Sequence, residues 1–145
     1  PFFVVRDRVA LQRLVAANLL MLATCSAAFL AVPIGFDRPQ LPPPPHDFGT
    51  WILALVQGND PAWNCLPSEH CAAALIAALA CWEANRKVGA FALMTTLLIG
   101  VSTLYTKQHY VVDVFAGYGV SLSIHWALRW AKSFESAGAT GATNS

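Results

Sequence analysis

From Leu11 to Ile34 the residues are almost all apolar, and no formal charge follows Arg13. As a helix, a run of that length is just long enough to cross a hydrocarbon core of about 30 Å. Three further apolar stretches follow: Cys71 to Trp82, Val88 to Thr106 and Val111 to Trp130. Lipid offers the backbone no hydrogen-bonding partner, so stretches of this kind predict helices. Composition agrees, with 56% hydrophobic residues against 12% charged, about half the charged share of an ordinary soluble domain. The expected fold class is all-α, a polytopic transmembrane helical bundle with four spans.

The connections have their own character. Residues 36–50 carry Asp37, Arg38, Pro39, Pro42 to Pro45, His46 and Asp47, which predicts a loop with a stiff extended centre. Trp51 to Val56 is apolar but too short to cross, and with Trp51 and Trp63 nearby it suits a short interfacial helix. Gly58-Asn59-Asp60-Pro61 then forces a turn. The stretch from Cys71 holds six alanines among residues 72–80, which lets neighbouring helices come close and predicts a central position. The tail, Ser136 to Ser145, is built of small and polar residues and is expected to be disordered. That divides the chain into a membrane-embedded core, residues 1–135, and a tail, residues 136–145. Pro1 is no initiator methionine, and further helices are expected upstream of it.

Charge gives these spans a direction. If they alternate, Arg6, Arg8, Arg13, Arg86, Lys87, Arg129 and Lys132 share one side, which the positive-inside rule makes cytoplasmic. Arg38 and Lys107 fall on the other. The nine basic residues sit in small separated groups with no patch, so a nucleic-acid partner is not expected. The four cysteines, Cys25, Cys65, Cys71 and Cys81, show no Cys-x2-Cys pair and so no zinc or redox signature. Cys65 and Cys71 bracket Pro67-Ser68-Glu69-His70, where a disulfide would stiffen the segment if their side chains face each other.

Chemistry concentrates on the side of Arg38 and Lys107. His109 and Asp113 are four residues apart, so in a helix the carboxylate lies one turn away and can hold one imidazole nitrogen. A histidine so oriented is either a nucleophile or a metal ligand, and His70 stands where it could serve as an acid partner. Ser68 is a favourable N-cap. A helix N-terminus there would present N–H groups and positive partial charge suited to a phosphate, with Arg38 and Lys107 to neutralise its oxygens. His46 reads as solvated, His125 as bonding a neighbouring helix or facing the interface, and Trp126 and Trp130 as interfacial anchors.

Pro67-Ser68-Glu69-His70 and Ser102-Thr103-x5-His109-x3-Asp113 resemble the second and third signature motifs of the type-2 phosphatidic acid phosphatase superfamily, Pro-Ser-Gly-His and Ser-Arg-x5-His-x3-Asp. Residues 105–114, followed by Ala116-Gly117, look like its bacterial lipid-phosphatase branch, which is also similar to inositol-phosphoceramide synthases. The likeness covers roughly residues 38–119. It implies that His109 attacks phosphorus to form a phosphohistidine, that Asp113 orients it, and that His70 acts as general acid and then base. Ser68 and Arg38 would hold the phosphoryl oxygens, Arg38-Pro39 matching the Arg-Pro end of the first motif, Lys-x6-Arg-Pro.

Three positions depart from that pattern. The first-motif lysine falls at Ala31, the third-motif arginine is Thr103, and Glu69 replaces the second-motif glycine. Lys107 could supply a point charge but no bidentate fork, and Glu69 is expected to point away from the phosphate. The resemblance implies a metal-independent lipid phosphatase with no cofactor, placed in the bacterial inner membrane with its site on the non-cytoplasmic face. Its substrate would be a lipid phosphate ester or diphosphate. A phosphotransferase moving a phosphorylated headgroup onto a lipid alcohol is the alternative. A non-enzymatic metal or haem protein using His70 and His109 is the reading from a different class, and it gives Ser68, Arg38 and Lys107 no role.

Overall fold

The structure, a computed structural model, describes residues 1, 4–35, 46–59, 65–106 and 109–141, with backbone alone for 59 and 132–141. The described residues form five helices: α1 Arg8–Ala31, α2 Phe48–Asn59, α3 Glu69–Ala84, α4 Arg86–Tyr105 and α5 Val111–Gly141. Among the described residues there is no strand. The fold is the expected all-α bundle, with α1, α4 and α5 each long and apolar enough to cross a membrane. α2 is the expected short apolar helix, three residues longer at each end than the run that predicts it.

The helix ends follow from local chemistry. Asp7 caps α1, its carboxylate accepting from the Ala10 N–H at 2.8 Å, which starts the helix three residues before the apolar run. Asn85 ends α3 and caps α4, its side chain accepting from the N–H groups of Lys87 and Val88. The chain thus reverses on a single residue between two antiparallel helices.

α3 covers the expected span Cys71 to Trp82 and extends it by two residues at each end. Its 16 residues extend only about 24 Å, short of the roughly 30 Å hydrocarbon core. It does run from one end of the bundle to the other, packed against α1, α4 and α5. Cys71, Ala72, Leu75, Ile76, Ala78 and Cys81 are buried along it. One stripe of α1, Leu14, Ala17, Met21 and Cys25, is buried with Ala72 and Ile76 in the apolar core. The outward faces are apolar as well: Leu30 is 87% exposed, Phe91 72% and Leu97 63%. That inversion is stable only where the surroundings are hydrocarbon, and it makes the chain an integral membrane protein.

Close packing replaces the hydrophobic effect between helices in lipid. A Cβ on Gly89 would collide with the backbone of Trp82, and one on Gly117 with the carbonyl of Ser68. Hydroxyl groups tie the same surfaces: Ser121 donates to the Ala72 carbonyl at 2.7 Å, and Tyr118 to the Thr96 carbonyl at 2.8 Å. Each such bond contributes about 0.6 kcal/mol in a bilayer. At one end of the bundle Arg13, Glu83, His125 and Arg129 gather around a cavity, so two of the basic residues assigned to one side, Arg13 and Arg129, meet there. The other end holds the histidine motifs.

Candidate active site

Two helix N-termini meet at that second end. α3 begins after Ser68, whose hydroxyl accepts from the Cys71 N–H at 3.4 Å. α5 begins after Tyr110, whose N–H donates to the Asp113 carboxylate at 2.8 Å. Asp113 therefore acts as the acid of a capping box, reaching back over the first turn. The two starts are bonded to each other, because the Ser68 N–H donates to the Asp113 carbonyl at 2.9 Å.

Below this junction one face of α5 lies on α3. Asp113, Gly117 and Ser121 recur every fourth residue and all are buried. They touch the Ser68 N–H, the Ser68 carbonyl and the Ala72 carbonyl in turn. Both motifs are thus fixed relative to each other through main-chain atoms. Ser68 and Asp113 are almost fully enclosed, at 0% and 1% exposure.

His109 is buried beside this junction, and its Nδ1 makes two approaches. The Cys65 carbonyl lies at 3.0 Å, and the Asp113 Oδ2 at 3.6 Å. The spacing argument puts the carboxylate on the ring, but the direct hydrogen bond goes to the main chain and Asp113 stands at ion-pair distance. A carbonyl can only accept, so Nδ1 carries the proton and the in-plane lone pair resides on Nε2. That is the tautomer a nucleophile needs.

His70, exposed in the first turn of α3, brings its ring centroid to 6.1 Å from that of His109, with 63° between the planes. The rings are too far apart to bond each other and close enough to serve two sides of one small group. The Ser68 hydroxyl serves its own helix as a cap, so any phosphate would meet the α3 N-terminus through backbone N–H groups.

The departures from the family motifs have definite places. Thr103 is buried, its hydroxyl donating to the Gly100 carbonyl at 2.8 Å, so it contributes no charge where the motif has arginine. Ala31 is exposed at the last turn of α1. Glu69 is half-buried at the first position of α3, within electrostatic reach of Cys25 on α1. Arg38 and Lys107 lie outside the described residues. Cys65 and Cys71 are both buried and not joined to each other, so the disulfide that their positions could allow is not formed. His46 is exposed, and His125 Nε2 faces Glu83 Oε1 at 3.7 Å.

Two contributors carry no side-chain signature in the sequence. One is the Cys65 carbonyl. The other is Gln57, whose amide donates to the Thr106 carbonyl at 3.3 Å and ties α2 to the end of α4 beside the site. Gly117 was legible in part, since the spacing Asp113, Gly117, Ser121 marks a stripe of small and polar positions on an otherwise apolar helix. Among the described residues no three His, Cys, Asp or Glu side chains form a group that could hold a metal ion.

A family model described as the PAP2 superfamily matches residues 13–136. The chain belongs to the PAP2 superfamily. Neither the curated proteins nor the solved structures contain a significant match to it. The PAP2 match takes in both histidine motifs and all of α3 and α4. Membership supports a phosphatase or phosphotransferase type of activity, and the apolar helices fit a substrate embedded in the membrane.

Proposed function

We propose that this chain is a membrane phosphatase that hydrolyses a lipid phosphate ester or diphosphate through a phosphohistidine on His109. The observation that carries the reading is the pairing of His109, protonated at Nδ1 and nucleophilic at Nε2, with the ring of His70 where two helix N-termini converge. In the first step the Nε2 lone pair forms a bond to phosphorus as the bond to the lipid oxygen breaks. His70 delivers its proton to that leaving oxygen. In the second step water attacks phosphorus, His70 takes its proton, and the nitrogen–phosphorus bond breaks to return His109.

Positive charge for the phosphoryl oxygens would come from the N-termini of α3 and α5, from the segment begun by Ser68, and from Arg38 and Lys107. Asp113 and the Cys65 carbonyl position the nucleophile and stabilise its protonated ring. The site would face away from the cytoplasm, opposite the basic end of the bundle, in a bacterial inner membrane.

Phosphate release from a panel of lipid monophosphates and diphosphates, with and without a chelator, tests the assignment. Turnover unchanged by the chelator is expected, with labelled phosphate trapped on the protein. Loss on chelation and recovery with zinc or magnesium would reject it. Adding a lipid alcohol separates the two acceptors, since a transferase would give a new phospholipid in place of free phosphate.

The role of His70 has its own signature. His70→Ala should lose activity on lipid alkoxides, whose departure needs a proton, by about 10²–10⁴-fold. With a nitrophenyl phosphate, whose leaving group needs little protonation, phosphoenzyme formation should largely survive. Equal losses on both substrates would remove His70 from the acid role.

A further inference from the structure

α2 carries no charged side chain from Phe48 to Asn59, and it is apolar on two opposite faces. Thr50, Leu53, Ala54 and Gln57 are half-buried, at the spacing of one face of a helix. That face is turned towards the bundle, because the Gln57 amide donates to the Thr106 carbonyl at 3.3 Å. The opposite face carries Phe48, Trp51, Ile52, Leu55 and Val56, all exposed, Phe48 at 74% and Trp51 at 53%. The Phe48 and Trp51 rings stack with their centroids 6.2 Å apart, which joins them into one apolar surface. Among the described side chains only Gly49 and Gly58 lie between the two rows.

A helix that rests on a membrane keeps a strongly polar face for water. α2 has none. Its 12 residues extend about 18 Å, too short to cross a hydrocarbon core of about 30 Å. Its start is closed by a reciprocal cap: the Asp47 carboxylate accepts from the Thr50 N–H at 2.8 Å, and the Thr50 hydroxyl accepts from the Asp47 N–H at 3.2 Å. Tyr105, next to Thr106, is exposed as well, so the lipid-facing surface of α4 reaches the level at which α2 is attached.

The attachment leads to the nucleophile. Thr106 is the C-cap of α4, where carbonyls have no donor within the helix and hydrocarbon supplies none. Gln57 provides one. His109 follows Thr106 by three residues, at most about 10 Å of chain.

We propose that α2 is immersed in the leaflet at the catalytic end, its outward row packed against acyl chains, and that Gln57 is a positioning residue passing this hold through Thr106 to His109. The partner is the lipid itself: acyl chains cover the outward row as they cover the outer faces of α4 and α5, whereas water would leave a contiguous apolar patch bare. The positioning half rests on the proposed role of His109, and the immersion does not.

Two readouts on the full chain in lipid nanodiscs test the two halves. Tryptophan emission is quenched either by phosphatidylcholine brominated on its acyl chains or by iodide in the water, and the share of Trp51 is the difference between the parent and Trp51→Phe. Bromine should quench that share at least about twofold more than iodide does. The reverse order would put α2 in water and overturn the proposal. Gln57→Met keeps the length of the side chain and removes its donor. It should lower kcat on nitrophenyl phosphate roughly fivefold to tenfold. KM and the unfolding midpoint should stay unchanged, because a soluble ester needs no help from α2 to bind and α2 lies outside the buried core. An unchanged kcat, or a loss confined to KM, would overturn the positioning role. If the parent releases phosphate from neither nitrophenyl phosphate nor any lipid phosphate, the phosphatase reading falls and the role of Gln57 with it, while the quenching result still decides the place of α2.

Discussion

His109→Ala is expected to lower phosphate release by at least about 10⁴-fold and to leave no acid-labile phosphoenzyme. The size of the loss follows from the absence of any other nucleophile in the proposed scheme. His70 sits in the first turn of α3 and, among the described residues, has no counterpart of the Nδ1 hydrogen bond that sets the tautomer of His109, so it is not prepared to take over. Neighbouring interactions do not depend on the imidazole: the Ser68 N–H still bonds the Asp113 carbonyl, and Tyr110 still bonds the Asp113 carboxylate. The variant should therefore stay folded. A phosphohistidine trapped from labelled substrate in the His109→Ala protein would refute the assignment outright.

Gly117→Ala is expected to lower turnover on the order of 10²-fold although the residue has no chemistry of its own. The added methyl would occupy the position of the Ser68 carbonyl. Both partners are main chain, so neither can rotate away, and α5 must move off α3. Overpacking of this kind costs about 1–3 kcal/mol. The hydrogen bonds that pin the helices above and below, Ser68 to Asp113 and Ser121 to Ala72, would concentrate the displacement where the two motifs meet. A misplacement of about 1 Å lowers turnover on the order of 10²-fold. Gly119→Ala is the control, because nothing lies within 4 Å of a Cβ there and alanine favours a helix over glycine by about 1 kcal/mol. Unfolding midpoints in detergent and phosphate-release rates read both variants. If they behave alike, the contact of Gly117 with Ser68 does not align the site.

Apolar runs and charge placement made the bundle legible, and the two motifs gave His70, His109, Asp113 and the Ser68 cap before any geometry was known. What stayed hidden was main chain. The carbonyl of Cys65 belongs to no side-chain pattern, yet it lies closer to His109 Nδ1 than the Asp113 carboxylate does. The spacing of His109 and Asp113 correctly puts them one turn apart, but Tyr110 claims the carboxylate for the helix start and moves it to 3.6 Å. The status of Cys65 and Cys71 was equally undecidable from spacing, since bonding depends on where two side chains point. α3 is shorter than the other spans for a different reason: alanine-rich composition says that a helix can be buried among others, and a helix covered on several sides no longer has to match the bilayer in length.

That shortness reaches beyond the bundle. A helix of about 24 Å, packed against α1, α4 and α5, can stop several ångströms short of a hydrocarbon core of roughly 30 Å, and Ser68 and His70 stand at one of its ends. On the proposed reading the two histidines would then be set in from the level of the headgroups, and a lipid phosphate would have to sink towards them rather than be lifted out of the membrane.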